Sequence, residues 1–169
     1  ALATAIAGPA PPTFPERLQR CHAWLGGGGS ARRSFLTLGD PEYPPALLQT
    51  ADPPLLLFAE GAVDRLSASS LAIVGSRHPT PQGEENARAF AAALSGDGLV
   101  IVSGMARGID AAAHEGALRG AGGTVAVLGG GPDVPYPASH AGLAARISAH
   151  PAGVLLTEYA PGTPALKDH

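Results

Sequence analysis

Three glycine-containing loops carry the side chains of this sequence that could take part in chemistry. They are Gly75-Ser76-Arg77, the run from Ser103 to Gly108, and Gly129-Gly130-Gly131-Pro132-Asp133. Each loop follows an apolar run and precedes a helical pattern, so unpaired helix amides and the helix dipole favour an anion there. Glycine lets a phosphate approach the backbone, and an arginine can hold it through two parallel hydrogen bonds. We therefore expect a phosphate-bearing ligand near Gly75, Ser76, Arg77 and Ser103; the alternative is that these glycines serve only the turns.

Several cofactor and metal-binding motifs are absent from the sequence. The loop at Gly75 does not read G-x-G-x-x-G, so a dinucleotide cofactor is not expected. No G-x-x-x-x-G-K-[ST] run is present either, which excludes the phosphate loop of nucleotide-hydrolysing motors. The six histidines lack metal-ligand spacing, and the single cysteine, Cys21, excludes a multi-cysteine site. The sequence therefore predicts neither a cofactor nor a metal ion.

Asp110 and His114 lie one helical turn apart, a spacing that invites a catalytic interpretation. A structural role explains the pair equally simply, because an aspartate in the first turn of a helix satisfies unpaired amides. No G-x-S-x-G run supports a nucleophile at Ser76 or Ser103. We favour the structural role and predict no catalytic residue.

The elements that must position these loops are read from alternating apolar runs and helical patterns. Predicted strands are Phe35–Leu38, Leu55–Phe58, Leu71–Val74, Leu99–Val102, Thr124–Leu128 and Val154–Thr157, and the helices between the last four are Pro81–Ser95, Ile109–Leu118 and Ala138–Ala149. Strands that are apolar throughout indicate a covered parallel sheet. The sequence thus predicts a Rossmann-like, mostly parallel α/β sheet with helices on both faces. Right-handed crossovers would bring the three loops to the carboxyl edge of that sheet.

Length and composition fit one domain without disulfides or membrane spans. The chain has 169 residues, of which 45% are hydrophobic, and a net charge of −3 gives no general attraction to polyanions. No apolar run approaches the ~18 residues of a transmembrane helix. The apolar start lacks a basic segment, so we expect no signal peptide and a cytoplasmic protein. Residues 1–34 are interpreted as a peripheral helical segment and Gly-rich linker, in which Trp24 packs the helix onto the domain of residues 35–169.

Specific motifs in the loops resemble those of the DprA/Smf family, DNA-processing protein A. The strongest is the run S-G-x-A-x-G-I-D-x-x-A-H from Ser103 to His114, preceded by the Gly75-Ser76-Arg77 motif. Further matches follow in the family's order, including Gly130-Gly131-Pro132-Asp133, Tyr136-Pro137 and Leu156-Thr157-Glu158. The resemblance covers about residues 35–169.

This resemblance implies a single-stranded-DNA-binding protein that is not an enzyme and uses no cofactor. Family members protect incoming DNA during natural transformation (competence) and load RecA recombinase onto it. By the same resemblance, Arg77 grips a DNA phosphate and Lys167 adds a second contact. Gly75, Ser76, Ser103 and Gly104 would line the same pocket. The resemblance further implies a homodimer in the full-length protein and no membrane association.

The chain differs from the family at its C-terminus, because it stops at His169, before the family's F-P-x-R-N-R segment. That segment normally supplies further DNA contacts and much of the dimer interface, so we expect an incomplete sheet here. Few aromatic side chains lie near the predicted site. Tyr136 and Tyr159 are candidates for stacking on bases, although packing between two prolines is the favoured role for Tyr136. Phosphate contacts should therefore dominate binding.

Two other functions remain open from the sequence. One is a phosphoribohydrolase of nucleoside monophosphates, resembling the LOG family, which shares this topology. That family needs a P-G-G-x-G-T-x-x-E run, and the glycines at Gly129–Gly131 do not form it. The other is a carrier that binds a nucleotide or small molecule in the same pocket.

Overall fold

The computed structural model describes residues 10–27, 29 and 31–165. The strands of this part are β1 Arg33–Thr37, β2 Leu56–Gly61, β3 Ser70–Ala72, β4 Val100–Ser103, β5 Thr124–Val127 and β6 Gly153–Thr157. The α-helices are α1 Phe14–Gly26, α2 Pro81–Gly96, α3 Ile109–Ala117 and α4 Ala141–Ala149, and short 3-10 helices span Leu47–Gln49, Val63–Ser67 and Ala138–His140. Every predicted strand and helix is present, with ends shifted by a few residues.

The six strands form one sheet in the order β1-β2-β6-β5-β4-β3. Strands β3 to β6 pair in parallel, whereas β2 is antiparallel to both β6 and β1. The predicted Rossmann-like, mostly parallel sheet is therefore confirmed. The position of β1 and β2 beside β6 was not predicted. It leaves β3 at the opposite edge, where all three of its residues are exposed.

Successive residues of the central strands enter different clusters on the two faces of the sheet. Val125 belongs to one hydrophobic cluster and Ala126 to another, as expected where side chains alternate along a strand. Helices α2, α3 and α4 cover one face, because parallel strands added in order through right-handed crossovers place their helices on the same side. The 3-10 helix Val63–Ser67 and the loop at Tyr43 cover the other. The expectation of helices on both faces is therefore wrong for these three α-helices of the described chain, which all lie on one face.

Helix α1 packs against the β1–β2 end of the sheet through Trp24. The indole is 5% exposed, and its ring centroid lies 6.1 Å from that of Phe35 and 5.8 Å from that of Phe58. The guanidinium of Arg33 lies over the indole and donates a hydrogen bond of 2.7 Å from Nη1 to the Trp24 carbonyl oxygen. Trp24 thus packs the helix onto the domain, as the sequence predicted.

Candidate functional site

Two adjoining cavities open at the carboxyl edge of the sheet, each with a volume of about 450 Å³. Loops from three strands line the first cavity: Arg77 follows β3, Arg107 follows β4, and Gly129 and Tyr136 follow β5. Gly129 lines the second cavity too, so the two meet there. The predicted convergence of the three loops at this edge is present. A recess of this size suits a small molecule or part of a polymer.

The charges of the two cavities differ. The first, which we call the cationic cavity, is lined by Arg77, His78 and Arg107, and no carboxylate belongs to its lining among the described residues. The second cavity includes Asp110 and Glu158. Opposite charges attract and like charges repel, so an anion is favoured in the cationic cavity over its neighbour.

The Gly75-Ser76-Arg77 loop is fixed against the start of α3. The amide of Ile109 donates to the Ser76 carbonyl oxygen at 3.2 Å, and the Ser76 Oγ accepts a hydrogen bond of 3.0 Å from the His78 amide. A Cβ at position 75 would lie 2.8 Å from Ile109 Cγ1. Glycine is therefore required here for close packing of α3. Ser76 and Arg77 are exposed beside it.

Asp110 holds the loop between β4 and α3 from inside the protein. Asp110 is 6% exposed, and its carboxylate accepts hydrogen bonds from the amides of Gly104 at 3.1 Å and Ala106 at 3.3 Å. The residue between these amides, Met105, has a φ of 63°, a left-handed conformation that is strained for a non-glycine residue. Asp110 thus stabilises a strained turn that presents Arg107 to the cavity, and these two loop amides already have an anionic partner.

The glycine turn after β5 is shaped by Thr157 at the end of β6. The Thr157 hydroxyl oxygen lies 2.9 Å from the Gly130 carbonyl oxygen and 3.1 Å from that of Leu128, and it accepts the Tyr159 amide at 3.0 Å. A Cβ built at Gly129 would meet no atom within 4 Å. Gly129 therefore faces open space in the cavity, while its neighbours are held in place.

Residues 34–169 match the family model described as DNA recombination-mediator protein A. The chain belongs to this family. The DprA/Smf resemblance seen in the loop motifs is therefore confirmed. The match includes every loop of the cationic cavity.

Relatives of the chain support the same assignment. A putative DNA processing protein DprA of Mycobacterium tuberculosis is 50% identical over 111 residues, which cover 64% of this chain and 28% of the relative. DNA processing protein DprA of Streptococcus pneumoniae is 43% identical over 136 residues, covering 80% of this chain and 47% of the relative. The chain thus spans less than half the length of these relatives.

Two solved structures share the fold. The X-ray structure of S. pneumoniae DprA superposes with a TM-score of 0.74 at 38% identity, over 97% of this chain and 57% of that one. A structure of DprA from Helicobacter pylori, described as showing a unique single-stranded DNA binding mode, gives 0.70 at 30% identity over 79% and 60% of the two chains.

Most of the predicted site residues lie at the two cavities, whereas one of them is buried away from both. Arg77 and Gly104 line both cavities, and Gly75 lines the second. Ser76, which lies between Gly75 and Arg77 in the same loop, is exposed. Ser103 is 2% exposed, and its hydroxyl donates to the Ile73 carbonyl oxygen at 2.6 Å. Its side chain therefore joins β3 to β4 and does not reach either cavity. Lys167 lies outside the described residues.

Two residues of the cationic cavity, Arg107 and His78, were missed by the sequence analysis. Arg107 was part of a recognised motif, but only Arg77 was singled out, because the direction of a loop side chain depends on tertiary contacts. His78 is the next residue after Arg77 and is exposed. Tyr136 was a candidate for base stacking with packing as its favoured role, and the structure shows it 49% exposed and lining the cavity.

The residues that suggested catalysis do not form a pair. His114 Nδ1 lies 2.7 Å from Thr124 Oγ1, while the Asp110 carboxylate is occupied by the loop amides. The structural interpretation of Asp110 and His114 fits these contacts. Within the part of the chain that the structure describes, no group of three or more His, Cys, Asp or Glu side chains could hold a metal ion. The described helices also include none of the length and apolarity needed to cross a bilayer.

His114 makes the stability of the fold depend on pH. Burial, aided by the nearby His140, lowers the pKa of His114 from 6.5 to about 4. Between these values the unfolded chain binds a proton that the folded chain does not, so stability is lost as the pH falls. From pH 7.5 to 5.0 this group should cost about 2 kcal/mol of unfolding free energy.

Urea denaturation at the two pH values measures this loss, with His114→Gln as the comparison. The glutamine variant should start less stable, yet its unfolding free energy should fall less between pH 7.5 and 5.0. An identical fall in the parent and the variant would show that other groups cause the pH dependence.

Proposed function

We propose that this protein binds single-stranded DNA as a recombination mediator, with DNA phosphates held in the cationic cavity. The observation that carries the proposal is the convergence of Arg77, Arg107 and His78 on one recess, whose described lining contains no carboxylate. Arginine forms bidentate, charge-assisted hydrogen bonds with phosphate oxygens, which are stronger than neutral ones.

The shape of the site favours a single strand over a duplex. The chain has a net charge of −3, so attraction to nucleic acid depends on a local recess and not on a broad basic surface. A flexible single strand can bend a phosphate into a recess of about 450 Å³, whereas the stiff duplex holds its phosphates on the outside of a regular helix. The single-stranded DNA binding mode of the H. pylori relative supports this choice.

The site residues divide into contacts and supports. Arg77 and Arg107 hold phosphates, and Gly75, Ser76 and Gly104 form the wall that the DNA backbone approaches. Lys167 adds a further phosphate contact by family resemblance. Ser103 acts as a positioning residue, because its hydroxyl is committed to the Ile73 carbonyl oxygen. Asp110 plays a similar part for the loop that carries Arg107.

The wider role follows from family membership. We infer that the protein acts in the cytoplasm without catalysis or cofactor, protects incoming DNA during natural transformation, and loads RecA recombinase onto it as a homodimer. Loading is tested by following RecA filament formation on single-stranded DNA covered with single-strand-binding protein. The full chain should accelerate filament formation, and a rate equal to that without the protein would contradict this role.

The primary test is a fluorescence anisotropy titration of the full chain with labelled oligo(dT) and with a duplex of equal length. We expect tighter binding of the single strand and weaker binding as salt increases, because bound phosphates release counterions. Equal affinity for both forms would contradict the proposal. Incubation with nucleoside monophosphates tests the two alternative functions, a LOG-like phosphoribohydrolase and a nucleotide carrier. Released base would support the enzyme, and tight nucleotide binding without DNA binding would support the carrier.

A further inference from the structure

Tyr136 occupies an unusual position for an aromatic side chain. It follows the glycine turn after β5, is 49% exposed, and lines the cationic cavity together with Arg77 and Arg107. In the described part of the chain its hydroxyl makes no hydrogen bond and its ring makes no aromatic contact. Isolated exposed hydrophobic residues are ordinary on protein surfaces. What distinguishes Tyr136 is that its exposed side chain shares a cavity with two arginines.

The backbone on both sides of Tyr136 is held in place. Before it, the Val134 amide donates to the Gly131 carbonyl oxygen at 3.0 Å. The Gly131 amide in turn donates to the Thr163 carbonyl oxygen at 2.8 Å. After it, the His140 amide donates to the Pro137 carbonyl oxygen at 2.8 Å, and His140 Nδ1 lies 3.0 Å from the Met105 carbonyl oxygen. The Met105 contact joins this segment to the loop that carries Arg107. An aromatic ring on a fixed backbone loses little conformational entropy on binding, because only two side-chain torsions remain free.

Two arginine side chains and a flat aromatic ring in one recess match the two parts of a nucleotide, its phosphate and its base. We propose that Tyr136 is a stacking platform for a base of the strand whose phosphates Arg77 and Arg107 hold. This inference rests on the proposed function and adds a determinant of ligand class to it. Arginines alone bind any polyanion, whereas a stacking ring selects polyanions that carry bases. Because every base has a π-face, the selection is independent of sequence.

The test compares two ligands with equal numbers of phosphates: oligo(dT) and an oligomer of abasic sites of the same length. The full-chain parent should bind oligo(dT) roughly tenfold more tightly than the abasic oligomer, since one stacked base contributes about that factor. Tyr136→Ala should lose this preference by weakening oligo(dT) binding alone. Tyr136→Phe keeps the ring and should retain it. Equal affinity of Tyr136→Ala and the parent for oligo(dT), or an equal loss on both ligands, would overturn the inference.

Arg77→Ala separates this inference from the proposed function. This substitution should lower the affinity for both ligands by the same factor, because it removes a phosphate contact. If the parent binds neither oligomer, the proposed function fails and the stacking role with it. A second measurement is photocrosslinking with oligomers that carry 5-iododeoxyuridine. Crosslinks mapped to Tyr136 by mass spectrometry support stacking, and crosslinks that avoid residues 134–138 contradict it.

Discussion

Replacing Arg77 and Arg107 together with alanine is expected to weaken single-stranded DNA binding by roughly 100-fold. Each arginine contributes a charge-assisted hydrogen bond to phosphate, and losing two such contacts is worth about 3 kcal/mol. The two side chains come from different loops but line the same cavity. The loops are joined by the hydrogen bond from the Ile109 amide to the Ser76 carbonyl oxygen. Anisotropy titration with labelled oligo(dT) measures the change.

The salt dependence of binding gives an independent readout of the same variant. For single strands, the slope of log affinity against log salt falls by ~0.7 for each lost phosphate contact, so the double variant should lose about 1.4. Replacing Arg32 and Arg119 by alanine is the matched control. Both are exposed, neither lines the cavities, and their removal changes the net charge equally. If the control pair weakened binding as strongly, attraction would depend on total charge, and the cationic cavity would not be the site.

The sheet could be predicted because its central strands are marked by continuous apolar runs between glycine-rich loops. Val100, Val125 and Val154 are all buried, as fully covered parallel strands require. The arrival of Arg77 and Gly104 at one edge followed from the same alternation, because right-handed crossovers leave little freedom in where the loops go. This part of the site depends on local pattern and topology alone.

Other parts of the site depend on contacts between residues that are distant in sequence, which a local pattern does not contain. Ser103 follows the apolar run of β4, but its hydroxyl turns inward because the Ile73 carbonyl oxygen lies within reach. The turn before Tyr136 is held by distant contacts: the Thr163 carbonyl oxygen accepts the Gly131 amide, and the Asp133 carboxylate accepts the Gly162 amide at 2.7 Å. The placement of β1 and β2 beside β6 is likewise a matter of long-range pairing.

Filling the cavity without changing its charge should weaken binding at least as strongly as removing its arginines. Gly129 lines both cavities, and a Cβ there would meet no atom within 4 Å. Its φ is outside the left-handed region, so other residues fit the backbone without strain. An indole introduced by Gly129→Trp would occupy the space that the proposal assigns to the nucleotide. We expect oligo(dT) affinity to fall by at least roughly 100-fold, because the phosphate contacts of both arginines would be blocked.

Gly142→Trp is the matched control, since Gly142 is exposed on α4 and its Cβ would also meet nothing within 4 Å. Thermal unfolding should show both variants close to the parent, as is usual for exposed positions without special contacts. Gly129→Trp retains Arg77, Arg107 and the net charge of the parent. Normal binding by this variant would mean that DNA is held by diffuse electrostatic attraction outside the cavity. Loss of binding in Gly129→Trp but not in Gly142→Trp would mean that DNA must enter the recess. The positive charge of Arg77 and Arg107 would then be insufficient when the cavity is filled.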